Sequence, residues 1–237
     1  MIRHPGLTEG PGWVRLITGE MHPMANSLIA TTAEGRSDLK AKVEPLATRN
    51  LPTAVMLAGH ASGEENELLT GLGYFLAETM PMMAVEIDRL AETILPGGYT
   101  FHEVKSGGED VDEWVDMLNE GYGLTRPTAE LFGPAQIVNL PADQSARWFA
   151  VKRDGLIVTT SMLYVEGGLP GIYCVSTTEP ERRKGLAAHA TAEPLRPLKG
   201  RYATGILQAS AIGEPVYRKL GFEQHETLAL YVKLPSS

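Results

Sequence analysis

Three consecutive cations, Arg182, Arg183 and Lys184, stand directly before Gly185 and the small-apolar run Leu186-Ala187-Ala188. Ahead of them an apolar stretch ends at Val175-Ser176-Thr177, and a polar loop, Thr178-Glu179-Pro180-Glu181, follows. This reads as a strand, a loop and a helix beginning near Arg183. Cations are electrostatically misplaced there, because the N-terminal end of a helix carries about half a positive charge. An anion held among them removes the conflict. The unpaired N–H groups of a first helical turn bind such an anion, and a glycine lets it approach without a Cβ in the way. Phosphate or pyrophosphate is the favoured ligand chemistry. The competing reading is a solvated loop whose arginines pair with Glu179 and Glu181. On these residues alone the two readings stand level.

Other chemistry-bearing residues say less. The single cysteine, Cys174, permits no internal disulfide or cysteine-based zinc site, and it is expected as a strand core residue rather than a nucleophile. Six histidines are scattered without metal-ligand spacing, so no metal is expected, and His189 is read as structural or exposed rather than catalytic. Gly71-x-Gly73 lacks the helix start and acidic partner of a nucleotide loop and reads as a turn.

The elements that must position these residues are clearest after Leu95-Pro96-Gly97-Gly98, the expected domain seam. Tyr99–Val104 alternates like a strand, and Asp110–Asn119 has a helical face with Asp110 as its N-cap. A second helix is expected within Thr128–Leu140, after Pro127. Strands at Arg147–Lys152 and Leu156–Val165 are joined by Arg153-Asp154-Gly155, and a turn at Gly167-Gly168 leads to a strand at Gly171–Ser176. The remainder reads as the helix near Arg183, shortened or kinked by Pro194 and Pro197, a strand at Ala203–Ala209, a helix at Pro215–Leu220 and a strand at Leu228–Leu234. Before the seam, strands are expected at Ser27–Thr32 and Ala54–Ala58, with helices at Asp38–Ala47 and Met82–Thr93. Leu68–Leu76 fits no element clearly. The fold class is α/β or α+β, with a mixed, mostly antiparallel sheet preceded by a smaller α/β domain.

Arg182-x-x-Gly185-x-Ala187 at a strand-to-helix junction resembles the Q/R-x-x-G-x-G/A acyl-CoA signature of the GNAT superfamily of N-acetyltransferases. Leu207-Gln208-Ala209-Ser210 followed by Pro215-Val216-Tyr217-Arg218-Lys219-Leu220-Gly221-Phe222 resembles that superfamily's second motif. The resemblance covers residues 99–237 and implies an acetyl-CoA-dependent N-acetyltransferase domain. It implies that Val175, Ser176 and Thr177 pair with the pantetheine amides. Arg182, Arg183, Lys184, Gly185, Leu186 and Ala187 would wrap the pyrophosphate, and Ser210 would touch the pantetheine arm. Tyr217 would protonate the departing CoA thiolate. No carboxylate on Gly171–Ser176 serves as base, which leaves Glu166, Glu120, Glu130 or the chain terminus acting through water. Trp13, His22–Thr32 and Leu51–Met56 resemble the degenerate first half of tandem acetyltransferases, the other possibility for residues 1–95 being a cap of unrelated fold.

Composition bounds these readings. A chain of 237 residues suits one large or two small domains at about 100–200 residues each. A net charge of −8 argues against a nucleic-acid partner, and no apolar stretch approaches the ~20 residues that span a bilayer. Without an apolar leader after Met1, the expectation is a soluble cytoplasmic enzyme. Its acceptor would be a small-molecule amine, ahead of a peptide or protein N-terminus. The rival is a non-catalytic module that binds acyl-CoA as a sensor.

Overall fold

The computed structural model describes residues 4–137 and 140–236. In chain order it forms β1 (Leu7–Gly10), β2 (Trp13–Ile17), β3 (Asn26–Ala30), α1 (Ala33–Arg36), α2 (Leu39–Ala47), β4 (Thr53–Ala58), α3 (Gly63–Gly71) and β5 (Phe75–Glu86). There follow β6 (Tyr99–Val104), α4 (Val111–Tyr122), α5 (Arg126–Glu130), β7 (Ser145–Arg153), β8 (Leu156–Glu166) and β9 (Leu169–Thr177). Last come α6 (Leu186–Ala192), β10 (Thr204–Gln208), α7 (Glu214–Lys219) and β11 (Glu223–Lys233). Among the described residues no helix is long and apolar enough to cross a membrane.

The chain divides into two compact units, one spanning Met82–His225 and the other built from the residues up to Pro81 together with those from Glu226. It changes unit inside β5 and again inside β11. The seam expected at 95–98 is instead a loop within the Met82–His225 unit. Pro96, Gly97 and Gly98 stop an element, but they do not mark where the packing changes.

In the Met82–His225 unit the second half of β5 pairs antiparallel with β10, and β6, β7, β8 and β9 form an antiparallel series. β9 and β10 run parallel. One face carries a core of Met83, Val85, Leu163, Ile172, Leu207 and Phe222, packed with Leu195 and Tyr217. The other face is crossed by α4, whose Trp114 Nε1 donates to the Phe149 carbonyl at 3.1 Å. The β7–β8 turn forms as its sequence demands, with Asp154 at φ +51° and Gly155 at φ +84°.

In the other unit β1, β2 and β3 form antiparallel pairs, β3 and β4 run parallel, and β11 pairs antiparallel with β4. Leu28, Val43, Leu46, Val55, Leu57 and Leu69 make its core. The two units repeat one topology. The series β2, β3, helix, β4, α3, β5 matches β8, β9, α6, β10, α7, β11. In each unit the parallel pair is completed by the last strand of the other series, β5 beside β10 and β11 beside β4.

Several expectations are corrected. The helix read over Met82–Thr93 is the end of β5 followed by a single 3-10 turn at Ile87–Arg89. Met83, Ile87 and Leu90 are buried as that pattern required, but Met83 and Val85 are two apart, and Met82–Glu86 lie opposite Gln208–Thr204. The helix expected within Thr128–Leu140 starts earlier, at Arg126, and ends at Glu130; residues 138 and 139 lie outside the described residues. Asp110 precedes α4 without capping it, because its carboxylate is bonded to His102 and Lys152 instead. The unclear Leu68–Leu76 stretch resolves into the end of α3, a turn with Gly73 at φ +87°, and the start of β5. Pro215 is the second residue of α7 rather than the first.

Candidate functional site

The ladder between β8 and β9 steps from Thr160↔Ser176 to Met162↔Tyr173, so Cys174 and Val175 together stand opposite Ser161. This is a β-bulge, with Cys174 at φ +54°. Cys174 is therefore not an ordinary core strand residue; it is half-buried at an irregularity, and burial pushes its thiol up to about 12, which keeps it protonated. Among the described residues β9 and β10 are in register only at Gly171↔Ile206, and beyond the bulge β9 has no strand partner on the side away from β8.

A cleft of about 520 Å³ lies along the end of β9, lined by Met117, Glu120 and Gly121 of α4, Val158 of β8, and residues 176–182. Helix and strand meet closely at one point. A Cβ on Gly121 would lie 1.8 Å from Ser176 Oγ, so only glycine fits there. Of the four bases proposed from the sequence, Glu120 alone is placed on this cleft. Glu166 accepts from Gln144 at 2.8 Å, Glu130 is paired with Arg126, and the chain terminus lies outside the described residues.

The loop after β9 is built around Glu181, which the sequence reading left as a surface partner. Its buried carboxylate accepts from Lys184 Nζ at 2.8 Å, Arg153 Nη1 at 2.9 Å and the Tyr99 hydroxyl. Lys184 first, then Tyr99 and Arg153, hold its pKa down to about 2. Nothing local could have flagged this cluster, since Tyr99 and Arg153 come from β6 and β7. Lys184 is thereby committed to the protein, and Arg182 Nε donates to the Thr177 carbonyl at 3.2 Å. Arg183 is exposed.

The helix begins at Leu186, not near Arg183. Arg183 at φ +64° and Gly185 at φ +83° sit in the left-handed region with Lys184 between them, a backbone form that turns N–H groups toward one side. Gly185 is required for that conformation; a Cβ there would meet open space. The N–H groups from Arg183 to Ala188 donate to no backbone acceptor among the described residues, and the first to close a helical bond is His189, onto the Gly185 carbonyl at 3.0 Å. The side chain of Leu186 is buried with Val151 and Val158. His189 stacks edge-on against Phe101 and contacts Thr93, and burial lowers its pKa, which fits the structural reading.

Tyr217 is buried on α7, edge-to-face with Phe222 at 6.1 Å. Burial pushes its phenol up to about 12, offset in part by a hydrogen bond with Thr191, so it stands as a protonated donor. Val175 packs against the same core. Ser210 lies in the turn before α7, its Oγ accepting from the Gly213 N–H at 3.2 Å. Of the residues singled out from the sequence, Ser176, Thr177 and Arg182 line the cleft; Val175, Arg183, Lys184, Gly185, Leu186, Ala187, Ser210 and Tyr217 do not. Sequence reasoning missed Gly121, Tyr99, Arg153 and Tyr122. A glycine inside an amphipathic helix was the one available signal, and it pointed to Gly121.

No protein-family model matches the sequence, and no curated protein does. Solved structures do match it. A GCN5-related N-acetyltransferase from Kribbella flavida aligns over 98% of this chain and 90% of its own, with a TM-score of 0.69 and 21% identity. A conserved protein of unknown function from Staphylococcus epidermidis aligns over 100% and 96%, with a TM-score of 0.67 and 11% identity. A tandem GNAT protein from the clavulanic acid biosynthesis pathway aligns over 89% and 76%, with a TM-score of 0.57 and 12% identity. The chain has the GNAT fold, and at these identities the likeness extends to the fold alone.

Proposed function

We propose that this protein is an N-acetyltransferase that moves an acetyl group from acetyl-CoA, its co-substrate, directly to a primary amine. One observation carries the reading: the end of β9, past its single register position with β10, lies beside a run of six backbone N–H groups that have no backbone acceptor among the described residues. Such a strand end exposes peptide groups to the amides of a pantetheine arm, and the N–H run suits a pyrophosphate. Arg182 and Arg183 add positive charge, while Lys184 shapes the loop through Glu181.

In the reaction the amine nitrogen attacks the thioester carbon, and a tetrahedral oxyanion forms. The C–S bond then breaks and its electron pair leaves on sulfur. A backbone N–H at the Cys174–Val175 bulge is the natural donor to the oxyanion. Tyr217 serves the leaving sulfur as general acid. A phenol near 12 acts on a thiolate, whose pKa is about 8.5, chiefly through a strong hydrogen bond, because complete transfer is uphill. The amine's surplus proton leaves through Glu120 or water. Without a covalent intermediate, most of the acceleration comes from positioning the two substrates.

The unit carrying β1–β4 is, in this reading, a repeat that has lost its cofactor cleft. Its parallel strands β3 and β4 stay paired over four positions, Ser27↔Ala54 to Ala30↔Leu57. The start of α1 is closed, with Thr32 Oγ1 accepting from the Gly35 N–H at 3.0 Å and the Gly12 carbonyl 2.0 Å from where a Gly35 Cβ would sit.

Calorimetric titration of acetyl-CoA into the wild type and a Gly185→Asp variant tests the cofactor, with one site per chain expected and binding lost in the variant. CoA release with a panel of small amines and peptide N-termini then tests the transfer. Binding without release for any amine would replace the enzyme with an acyl-CoA sensor.

A further inference from the structure

Val175 and Thr177 are alternate residues of β9, so their carbonyls point to the same side of the strand. That side faces away from β8, because the N–H of Thr178, which has the opposite parity, donates to the Val158 carbonyl at 3.0 Å. These carbonyls are outward acceptors that lie past the register position of β9 with β10, without a strand partner among the described residues. Both are already taken. The Tyr122 hydroxyl donates to Val175 at 3.1 Å, and Arg182 Nε donates to Thr177 at 3.2 Å.

Neither donor is fixed by its surroundings. Tyr122 is the last residue of α4 and its side chain is 50% exposed, while Arg182 is exposed at the cleft. Gly123 follows Tyr122 at φ +61°, which ends the helix there.

Resting on the acyltransferase reading, we infer that Tyr122 is a positioning residue that occupies the Val175 carbonyl until the pantetheine arm displaces it. The arm carries two amide N–H groups, and one of them replaces the phenol on Val175. Arg182 makes the matching exchange, leaving Thr177 for a phosphate oxygen. Tyr122 stays protonated throughout, as a phenol with an ordinary pKa of about 10 does at neutral pH. The arrival of acetyl-CoA is thus coupled to the release of Tyr122 at the end of α4.

The test measures two affinities in the wild type and in Tyr122→Phe, which keeps the ring and removes the hydroxyl. Acetyl-CoA should bind the variant about fivefold more tightly, the worth of one neutral hydrogen bond no longer broken on binding. Adenosine 3′-phosphate 5′-diphosphate, which has the phosphates but no pantetheine, should bind both proteins equally. A merely structural tyrosine would move both ligands together or weaken both. Acetyl-CoA affinity that is unchanged or weaker in the variant, or a nucleotide affinity that shifts in parallel, overturns the inference. If the wild type binds acetyl-CoA not at all, it is the acyltransferase reading that falls.

Discussion

Ile206 of β10 stands opposite Gly171 of β9, and among the described residues this is the only position at which the two parallel strands are in register. Six residues further along β9 the strand ends, beside a loop whose N–H groups from Arg183 to Ala188 have no backbone acceptor. Such amides exchange with solvent as fast as their local exposure allows. Hydrogen-exchange mass spectrometry should therefore show residues 183–188 exchanging rapidly in the free protein. Saturating acetyl-CoA should slow them by about tenfold or more, the effect of giving each donor an anionic acceptor. Equal exchange with and without acetyl-CoA would place the ligand elsewhere.

Tyr217→Phe removes a buried hydroxyl while keeping the ring that packs on Phe222. If the hydroxyl serves the leaving thiolate, kcat should fall by about 100-fold, the lower end of general-acid effects. Acetyl-CoA affinity should stay within about twofold, since the group acts as the C–S bond breaks. Steady-state kinetics paired with calorimetry separates the two. A loss confined to affinity would make Tyr217 a packing residue.

Gly121→Ala pushes a methyl group against Ser176 Oγ and Cβ, which lie 1.8 and 2.8 Å from the new atom. α4 or β9 must shift, at a cost of about 1–3 kcal/mol in stability. Adding Ser176→Gly removes both obstructing atoms and should restore most of that loss, as read by denaturant unfolding. No rescue would mean that the helix interior, not the contact with β9, demands glycine at 121.

Glu65, Glu103 and Glu181 are each held down to about 2, chiefly by Arg36, Arg147 and Lys184 respectively. An unfolded glutamate titrates near ~4.3, so the native state binds fewer protons between these limits. The stability from these pairs is full above about pH 4.3 and is lost as pH falls toward about 2. Glu181→Gln should lower the melting temperature at pH 6 and make its decline below pH 4 shallower than in the wild type. Parallel melting curves for the two proteins would show that Glu181 gains nothing from its partners.

What the sequence disclosed was set by distance along the chain. Asp154-Gly155 announces its hairpin because two adjacent residues meet the left-handed requirement themselves. The β9-to-α6 loop was legible for the same local reason, down to Gly185. β5 was not, because the residues that make Met82–Glu86 a strand are Thr204–Gln208, more than a hundred positions away. The same holds for Glu181, whose role depends on Tyr99 and Arg153, and for the Tyr122–Val175 contact, where a helix end meets a bulge. At the seam, Pro96 and the glycines after it marked a real break in the backbone but not the exchange of final strands between the two repeats.

That exchange bears on how the protein is made. β1 to β4 leave the ribosome before β11, yet β4 pairs on its far edge with Leu228–Lys233, which lie far along the chain. The β1–β4 sheet must wait with a buried-type strand, Thr53–Ala58, open along one side until β11 has been made. A chain cut short after His225 would leave that edge exposed for good, so such truncated products should aggregate.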